Sequence, residues 1–321
     1  MSRMRVLVCG SNYGRAYITA LRREPRKYQL AGILAWGSAR SLQVAALNGV
    51  PLYHSTNELP DNIDLACAAM SSTAWPVVLQ LIRRGIHVLC EHPYPAGTLK
   101  KALALALKHN VQFHVNGHFV NLPAPQAFIR ECRRTSKLAG PEFVEVMATE
   151  RSLYGALDTL ASALSQTLPP LRVRVLSRRT EFVQLEGTLG RLPVCFSVQA
   201  SGKQGTSRMA DGSPDYLLDQ RVTSAFPTGV LTLLSIAGPV IWNKTPAHVL
   251  ANDTPLWTLS CDHETQTLAE LGEQRIQANV EALNSIRKSI LGHGTPEIQQ
   301  PQHILQVSKA WESIGRQLYS S

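Results

Sequence analysis

Apolar and polar positions along the first third of the chain follow two periods in turn. Arg5–Cys9 (RVLVC) is a short apolar run, followed by a glycine-containing turn and a helical stretch through Arg23. Tyr28–Leu34 predicts a second strand, and Ser38–Asn48 a helix with Ser38 as its N-cap. Val50–Tyr53 reads as a short strand. Asp64–Met70 (DLACAAM) is continuously apolar, as in a strand buried on both faces. Ala74–Arg84 is amphipathic and stops at Gly85, a residue suited to a helix C-cap. A strand at His87–Cys90, a helix at Thr98–Asn110 and a sixth strand at Gln112–Asn116 complete the series. Strands separated by helices predict a parallel, doubly wound sheet with right-handed crossovers.

The pattern then changes. After a helix at Pro125–Thr135, strand signals dominate, at Glu142–Thr149, Arg172–Ser177, Phe182–Leu189, Pro193–Ser201, Val230–Ser235 and Leu256–Ser260. Phe182, Gln184 and Glu186 alternate with Val183, Leu185 and Gly187, the mixed faces of a sheet covered on one side. Leu153–Leu168 interrupts as a mostly apolar helix, and Ser201–Pro214 predicts a polar, mobile loop. Helices at Leu268–Leu291 and Gln302–Tyr319 finish the chain. The expected fold class is α/β. Residues 1–118 would form an N-terminal Rossmann dinucleotide-binding domain. Residues 119–321 would form an α+β substrate and dimerisation domain with a large, mostly antiparallel sheet. An open face on that sheet favours a homodimer.

Composition narrows the function classes. With 44% hydrophobic and 17% charged residues over 321 positions, the chain has material for two cores and is not disordered. No apolar run reaches the ~18 residues of a membrane span, and MSRMRVLVCG runs straight into a strand without a secretory pattern. A cytoplasmic protein with no membrane partner is expected. The six cysteines (Cys9, Cys67, Cys90, Cys132, Cys195, Cys261) form no CxxC pair, which fits reduced thiols and neither a disulfide framework nor a zinc site. Net charge is +9, yet the basic residues come in short groups such as Arg22-Arg23 and Arg83-Arg84 at predicted helix ends. No basic stripe interleaved with aromatics points to nucleic acid, and an acidic substrate, cofactor or partner accounts for the charge.

Gly10-Ser11-Asn12-Tyr13-Gly14 lies between the first strand and the first helix, where a dinucleotide-binding fold places its phosphate loop, although it spells GxxxG and not GxGxxG. NAD-binding folds usually place Asp or Glu at the end of the second strand, but Ala35-Trp36-Gly37-Ser38-Ala39-Arg40-Ser41 holds no carboxylate. Ser38, Arg40 and Ser41 can donate to a 2′-phosphate, which makes NADPH the expected cofactor. The plainer alternative is a capping serine followed by a solvated arginine. Ser72 and Thr73 follow the fourth strand, either near the nicotinamide ribose or as an ordinary helix cap. Glu91 and Asn116, at the ends of the fifth and sixth strands, complete the expected cofactor-binding set.

Glu91-His92-Pro93 resembles the Glu-Lys-Pro element of the glucose-fructose oxidoreductase family, with His where its sugar dehydrogenases have Lys. A histidine titrates near neutral pH and can give a proton to a nascent amine. Within that superfamily the ordered segments VLVCGSNYG, LAWGSARS, VPLYHS, GIHVLCEHP, FHVNGHF, LYGALDTLASAL and GPVIW (Gly238–Trp242) resemble the thiazolinyl imine reductases of siderophore biosynthesis. The resemblance implies NADPH-dependent reduction of a thiazoline C=N to a thiazolidine, on an intermediate tethered to a carrier domain of a nonribosomal peptide synthetase. It places His92 beside the nicotinamide as candidate proton donor. The Asp-x-x-x-His pair of the sugar enzymes is missing, since Ser162 stands four residues after Asp158. The family's Asn-Thr-Phe-Tyr-Pro-His reads here Asn116-Gly117-His118-Phe119-Val120-Asn121, so its tyrosine, a proposed acid, falls on Phe119. His92 or water then serves alone, or His118 takes over, or activity is altered. A sugar or cyclitol dehydrogenase and a catalytically silent NADP(H)-binding regulator are the alternative readings. His87, His109, His114, His263 and His303 are expected to be structural.

Overall fold

The six apolar runs of the first third become β1 (Met4–Cys9), β2 (Tyr28–Leu34), β3 (Leu52–Tyr53), β4 (Leu65–Ala68), β5 (His87–Glu91) and β6 (Phe113–Asn116). They appear in a computed structural model that describes residues 3–70, 75–164, 168–179, 181–200, 219–246, 255–260 and 266–319. The strands pair in parallel in the order β3-β2-β1-β4-β5-β6. β4 is buried at every residue, as its unbroken apolar run requires. Helices α1 (Gly14–Arg23), α2 (Ala39–Asn48), α3 (Trp75–Arg83) and α4 (Ala96–Lys108) make the crossovers. The chain runs outward from β1 to β3, then returns to lay β4 on the other side of β1. That reversal opens a crevice at the carboxyl ends of β1 and β4, where open α/β sheets bind ligands.

The first unit comprises Met1–His118 together with Gly272–Leu305. The division at residue 118 assigned that second segment elsewhere, and the structure corrects it. Helix α7 (Leu268–Ile290) presents Val280, Leu283 and Ile286, which are buried in one core with Val6, Val8, Tyr17, Leu21 and Leu65. Farther along, Gln299 clamps β6. Its Oε1 accepts from the Val115 N–H at 2.9 Å, and its Nε2 donates to the Val115 carbonyl at 2.8 Å. Cys9, Cys67 and Cys90 sit in β1, β4 and β5 as buried thiols, where each behaves as a small apolar side chain.

The second unit comprises Phe119–Leu271 and Gln306–Ser321. Its strands are β7 (Phe143–Thr149), β8 (Leu171–Arg179), β9 (Phe182–Leu189), β10 (Leu192–Gln199), β11 (Gln220–Phe226), β12 (Gly229–Leu233), β13 (Val240–Lys244) and β14 (Trp257–Leu259). They form one sheet in the order β14-β13-β12-β11-β7-β10-β9-β8, antiparallel except where β7 meets β10. Alternate residues such as Val144, Val146, Val183, Leu185, Phe196 and Leu231 are buried, on the face covered by α5 (Pro123–Ser136) and α6 (Leu153–Ala163). Every residue of α6 is buried, so that helix is apolar nearly all round. It ends at Ala163, short of the expected Leu168. Strands β11 and β13 were not anticipated; the inward face of β11 carries Gln220 and Ser224, which blur its apolar alternation. The expected loop at Ser201–Pro214 lies outside the described residues. The last helix is α8 (Pro301–Tyr319). Among the described residues no helix is long and apolar enough to cross a membrane.

Candidate active site

Gly10 leaves β1 with φ +95°, a conformation that suits glycine, and a Cβ there would fall 2.4 Å from the Ala69 carbonyl oxygen. The chain can therefore turn tightly over the carboxyl end of β4. Ser11 is buried, Asn12 exposed and Tyr13 half-buried, and no side chain caps the start of α1. Gly14 begins that helix so close to the sheet that a Cβ would lie 2.8 Å from Val8 Cγ1. An uncapped helix start after a glycine turn is a ready anion site.

At the end of β2 the donors separate. Ser38 Oγ accepts from the Ser41 N–H at 3.3 Å and caps α2. Ser41 is fully buried and its Oγ donates to the Ser38 carbonyl at 2.7 Å, so it is a capping residue closed to ligand, against expectation. Arg40 is exposed on the first turn of α2, and its guanidinium makes no hydrogen bond among the described residues. A cavity of about 280 Å³ opens between the ends of β2 and β4, lined by Leu34, Trp36, His54, Met70 and Val77 among others. A glycine turn over the crevice, an uncapped helix, an apolar slot and an unengaged guanidinium fit a dinucleotide. Ser72 and Thr73 lie outside the described residues.

The ends of β5 and β6 carry a connected polar cluster. Tyr17, from the inward face of α1, donates its hydroxyl to Glu91 Oε2 at 2.6 Å. Asn116 Nδ2 donates to the Tyr17 hydroxyl at 2.7 Å and to Asn279 Oδ1 at 2.8 Å. The Asn116 amide nitrogen is thus engaged inside the protein and positions the cluster, while its Oδ1 is buried with no hydrogen-bond partner among the described residues. Glu91 is likewise turned toward side chains. Its Oε1 lies 3.6 Å from His92 Nδ1 and 3.5 Å from His118 Nδ1. His118 Nδ1 and the Tyr13 hydroxyl share a hydrogen bond at 3.3 Å. Burial, and next the charge of Glu91, push the phenols of Tyr13 and Tyr17 well above their ordinary range, so both stay protonated.

His92 Nδ1 lies 2.6 Å from the Asn116 carbonyl oxygen. A carbonyl only accepts, so Nδ1 carries the proton, and Nε2 is the nitrogen that gains or loses one. Glu91, His92 and His118 bring donor atoms within 4.8 Å of one another, a spacing that could hold a metal ion. With Nδ1–H given to the Asn116 carbonyl, His92 would ligate only through Nε2, and one carboxylate facing two imidazoles is equally an arrangement for proton handling. Phe119, in the second unit, packs its ring against Gly155 of α6, where a Cβ would meet Phe119 Cδ2 at 2.5 Å. Tyr17, Asn279 and Gln299 were not singled out from sequence. An internal helical tyrosine needs a partner for its hydroxyl when buried, which was the available signal for Tyr17.

Residues 4–117 match the family model described as oxidoreductase family, NAD-binding Rossmann fold. Residues 139–243 match the model described as thiazolinyl imine reductase Irp3-like, C-terminal. No curated protein matches the chain in sequence. Among solved structures, UDP-N-acetylglucosamine 3-dehydrogenase GnnA from Acidithiobacillus ferrooxidans is similar with TM-score 0.73 at 14% identity, over 100% of both chains. GenD2 from gentamicin A biosynthesis, in complex with NAD, gives 0.71 at 16% identity, over 99% of this chain and 95% of that one. An oxidoreductase from Agrobacterium radiobacter in complex with NAD+, L-tartaric acid and magnesium gives 0.71 at 12% identity, over 98% and 96%. At such identities the likeness speaks to the fold alone.

Proposed function

We propose, from the premise that this chain belongs to the oxidoreductases with an NAD-binding Rossmann fold and a thiazolinyl imine reductase Irp3-like C-terminal region, that it reduces a thiazoline C=N bond to a thiazolidine with NADPH. The match of residues 139–243 to the imine reductase model carries this reading. When bound, NADPH would supply the hydride that the ring carbon needs. The ring nitrogen must then gain a proton, and His92 supplies it from Nε2 while the Asn116 carbonyl holds Nδ1–H in place. Glu91 steadies the protonated imidazole through Oε1, and Tyr17 keeps that carboxylate aimed. His118, on the same carboxylate oxygen, is the second donor. Phe119 has no proton to give and serves as packing. The substrate is a siderophore intermediate carried by a peptide synthetase domain in the cytoplasm, and the net charge of +9 suits an acidic carrier. A homodimer is the expected assembly.

Steady-state oxidation of NADPH in the presence of a small-molecule thiazoline tests this reading. Turnover by the unmodified protein is expected, with His92→Ala lowering it roughly 10²–10⁴-fold and leaving NADPH affinity nearly unchanged. No turnover would overturn the activity. Full activity in both His92→Ala and His118→Ala would assign the proton to water and remove both side chains from the mechanism.

A further inference from the structure

His54 follows the edge strand β3, next to the end of β2. Gly37 stands at that end with φ +83°, and a Cβ built on it would meet His54 Cε1 at 3.1 Å and Nδ1 at 3.3 Å. The imidazole therefore lies directly against the turn that leads to Ser38 and Arg40. It is exposed and lines the polar side of the cavity whose other walls include Leu34, Trp36, Met70 and Val77. Its backbone is anchored. The His54 N–H donates to Glu58 Oε2 at 2.8 Å, and Ser55 Oγ donates to Glu58 Oε1 at 3.1 Å. Those bonds, the backbone one first, hold Glu58 below the usual carboxylate range. Both oxygens of the neighbouring carboxylate are thus occupied by the turn itself.

We propose that His54 is a specificity-determining residue, forming with Arg40 and Ser38 the subsite for an adenosine 2′-phosphate. This rests on the NADPH reading above and adds to it a residue from a different strand. With Ser41 sealed in the α2 cap, two of the three donors expected for the phosphate remain, both on the α2 side. A phosphate presents oxygens in several directions, and donors from more than one side hold it better than a single arm. Ser38 Oγ donates to Ser41 Oγ at 3.3 Å, a long bond that a phosphate oxygen can replace. Arg40 supplies a forked charge, and the His54 imidazole supplies a donor from the β3 side. The apolar slot that His54 lines has room for the base. No carboxylate in residues 35–41 repels the phosphate or claims the ribose hydroxyls.

Calorimetric binding of adenosine 2′,5′-bisphosphate and of 5′-AMP to the full chain separates the outcomes. The unmodified protein is expected to prefer the bisphosphate. His54→Ala should weaken the bisphosphate roughly tenfold or more, the loss expected for a hydrogen bond to a charged group. Its effect on 5′-AMP should stay within about twofold on the same basis, because no phosphate bond is lost there. His54→Gln, which keeps a donor, should recover part of the preference, and Arg40→Ala should lose at least as much as His54→Ala. Equal binding of the two nucleotides by the unmodified protein would overturn the NADPH reading itself. A preference that survives both His54 substitutions would overturn this inference alone. Parallel loss for both nucleotides would also overturn it, by assigning His54 to the walls of the base cavity.

Discussion

His114 lies in β6 with 1% of its surface exposed, and neither ring nitrogen has a hydrogen-bond partner among the described residues. Burial pushes its imidazole down from the ordinary 6.5 to about 4. In the unfolded chain the ring takes a proton near pH 6.5, whereas in the fold it resists until about pH 4. Between those values the unfolded state binds more protons, so stability falls as pH drops through that window. Above about pH 7 the ring is neutral in both states and the penalty vanishes. Each tenfold difference in proton affinity is worth about 1.4 kcal/mol, which makes the loss about 2 kcal/mol at pH 5 and about 3 kcal/mol below pH 4. Urea unfolding of the unmodified protein and of His114→Leu, at about pH 7.5 and pH 5, isolates the effect, because the other titrating groups are common to both. The variant should lose about 2 kcal/mol less on acidification. Identical acid sensitivity in the two proteins would refute a buried neutral histidine at this position.

Two other substitutions probe the fold around the cofactor. Gly10→Ala puts a methyl group 2.4 Å from the Ala69 carbonyl in a left-handed backbone conformation; it should cost about 1–3 kcal/mol of stability from the strain alone and abolish dinucleotide binding, read by thermal unfolding with and without NADPH. Tyr17→Phe deprives Glu91 of its short hydroxyl donor and Asn116 of one of its acceptors; a loss of about 1–3 kcal/mol in urea unfolding is expected, with a changed pH profile of turnover, and no loss of stability would show that the cluster is not tightly bonded.

Much of the first unit is legible in the sequence because parallel strands buried on both faces leave unbroken apolar runs, as in Leu65–Ala68, and because glycines and caps punctuate the helices between them. The second sheet is legible where Val183 and Leu185 alternate with Phe182 and Gln184. It is hidden in β11, where Gln220 and Ser224 face inward. Other features depend on residues far apart in the chain. Nothing local to Val280 or Leu283 says that they complete the core around Val6 and Tyr17. Likewise, Ser38 and Ser41 look equally able to meet a phosphate until the α2 cap is seen to bury one of them. The pairing of Glu91 with His92 and His118 joins two strand ends, and sequence alone gives only their order.

Hydride tracing decides most directly whether this chain is a thiazoline reductase. NADPH carrying deuterium at the transferable nicotinamide position is incubated with the protein and a small-molecule thiazoline, and the ring product is analysed by mass spectrometry. One deuterium on the reduced ring carbon of the thiazolidine is expected, formed in step with NADPH oxidation. Parallel incubations with NADP+ and sugar nucleotides or cyclitols should yield no oxidised product. An unlabelled or absent thiazolidine, with oxidation of a sugar nucleotide or cyclitol by the same preparation, would contradict the assignment and make this chain a sugar dehydrogenase.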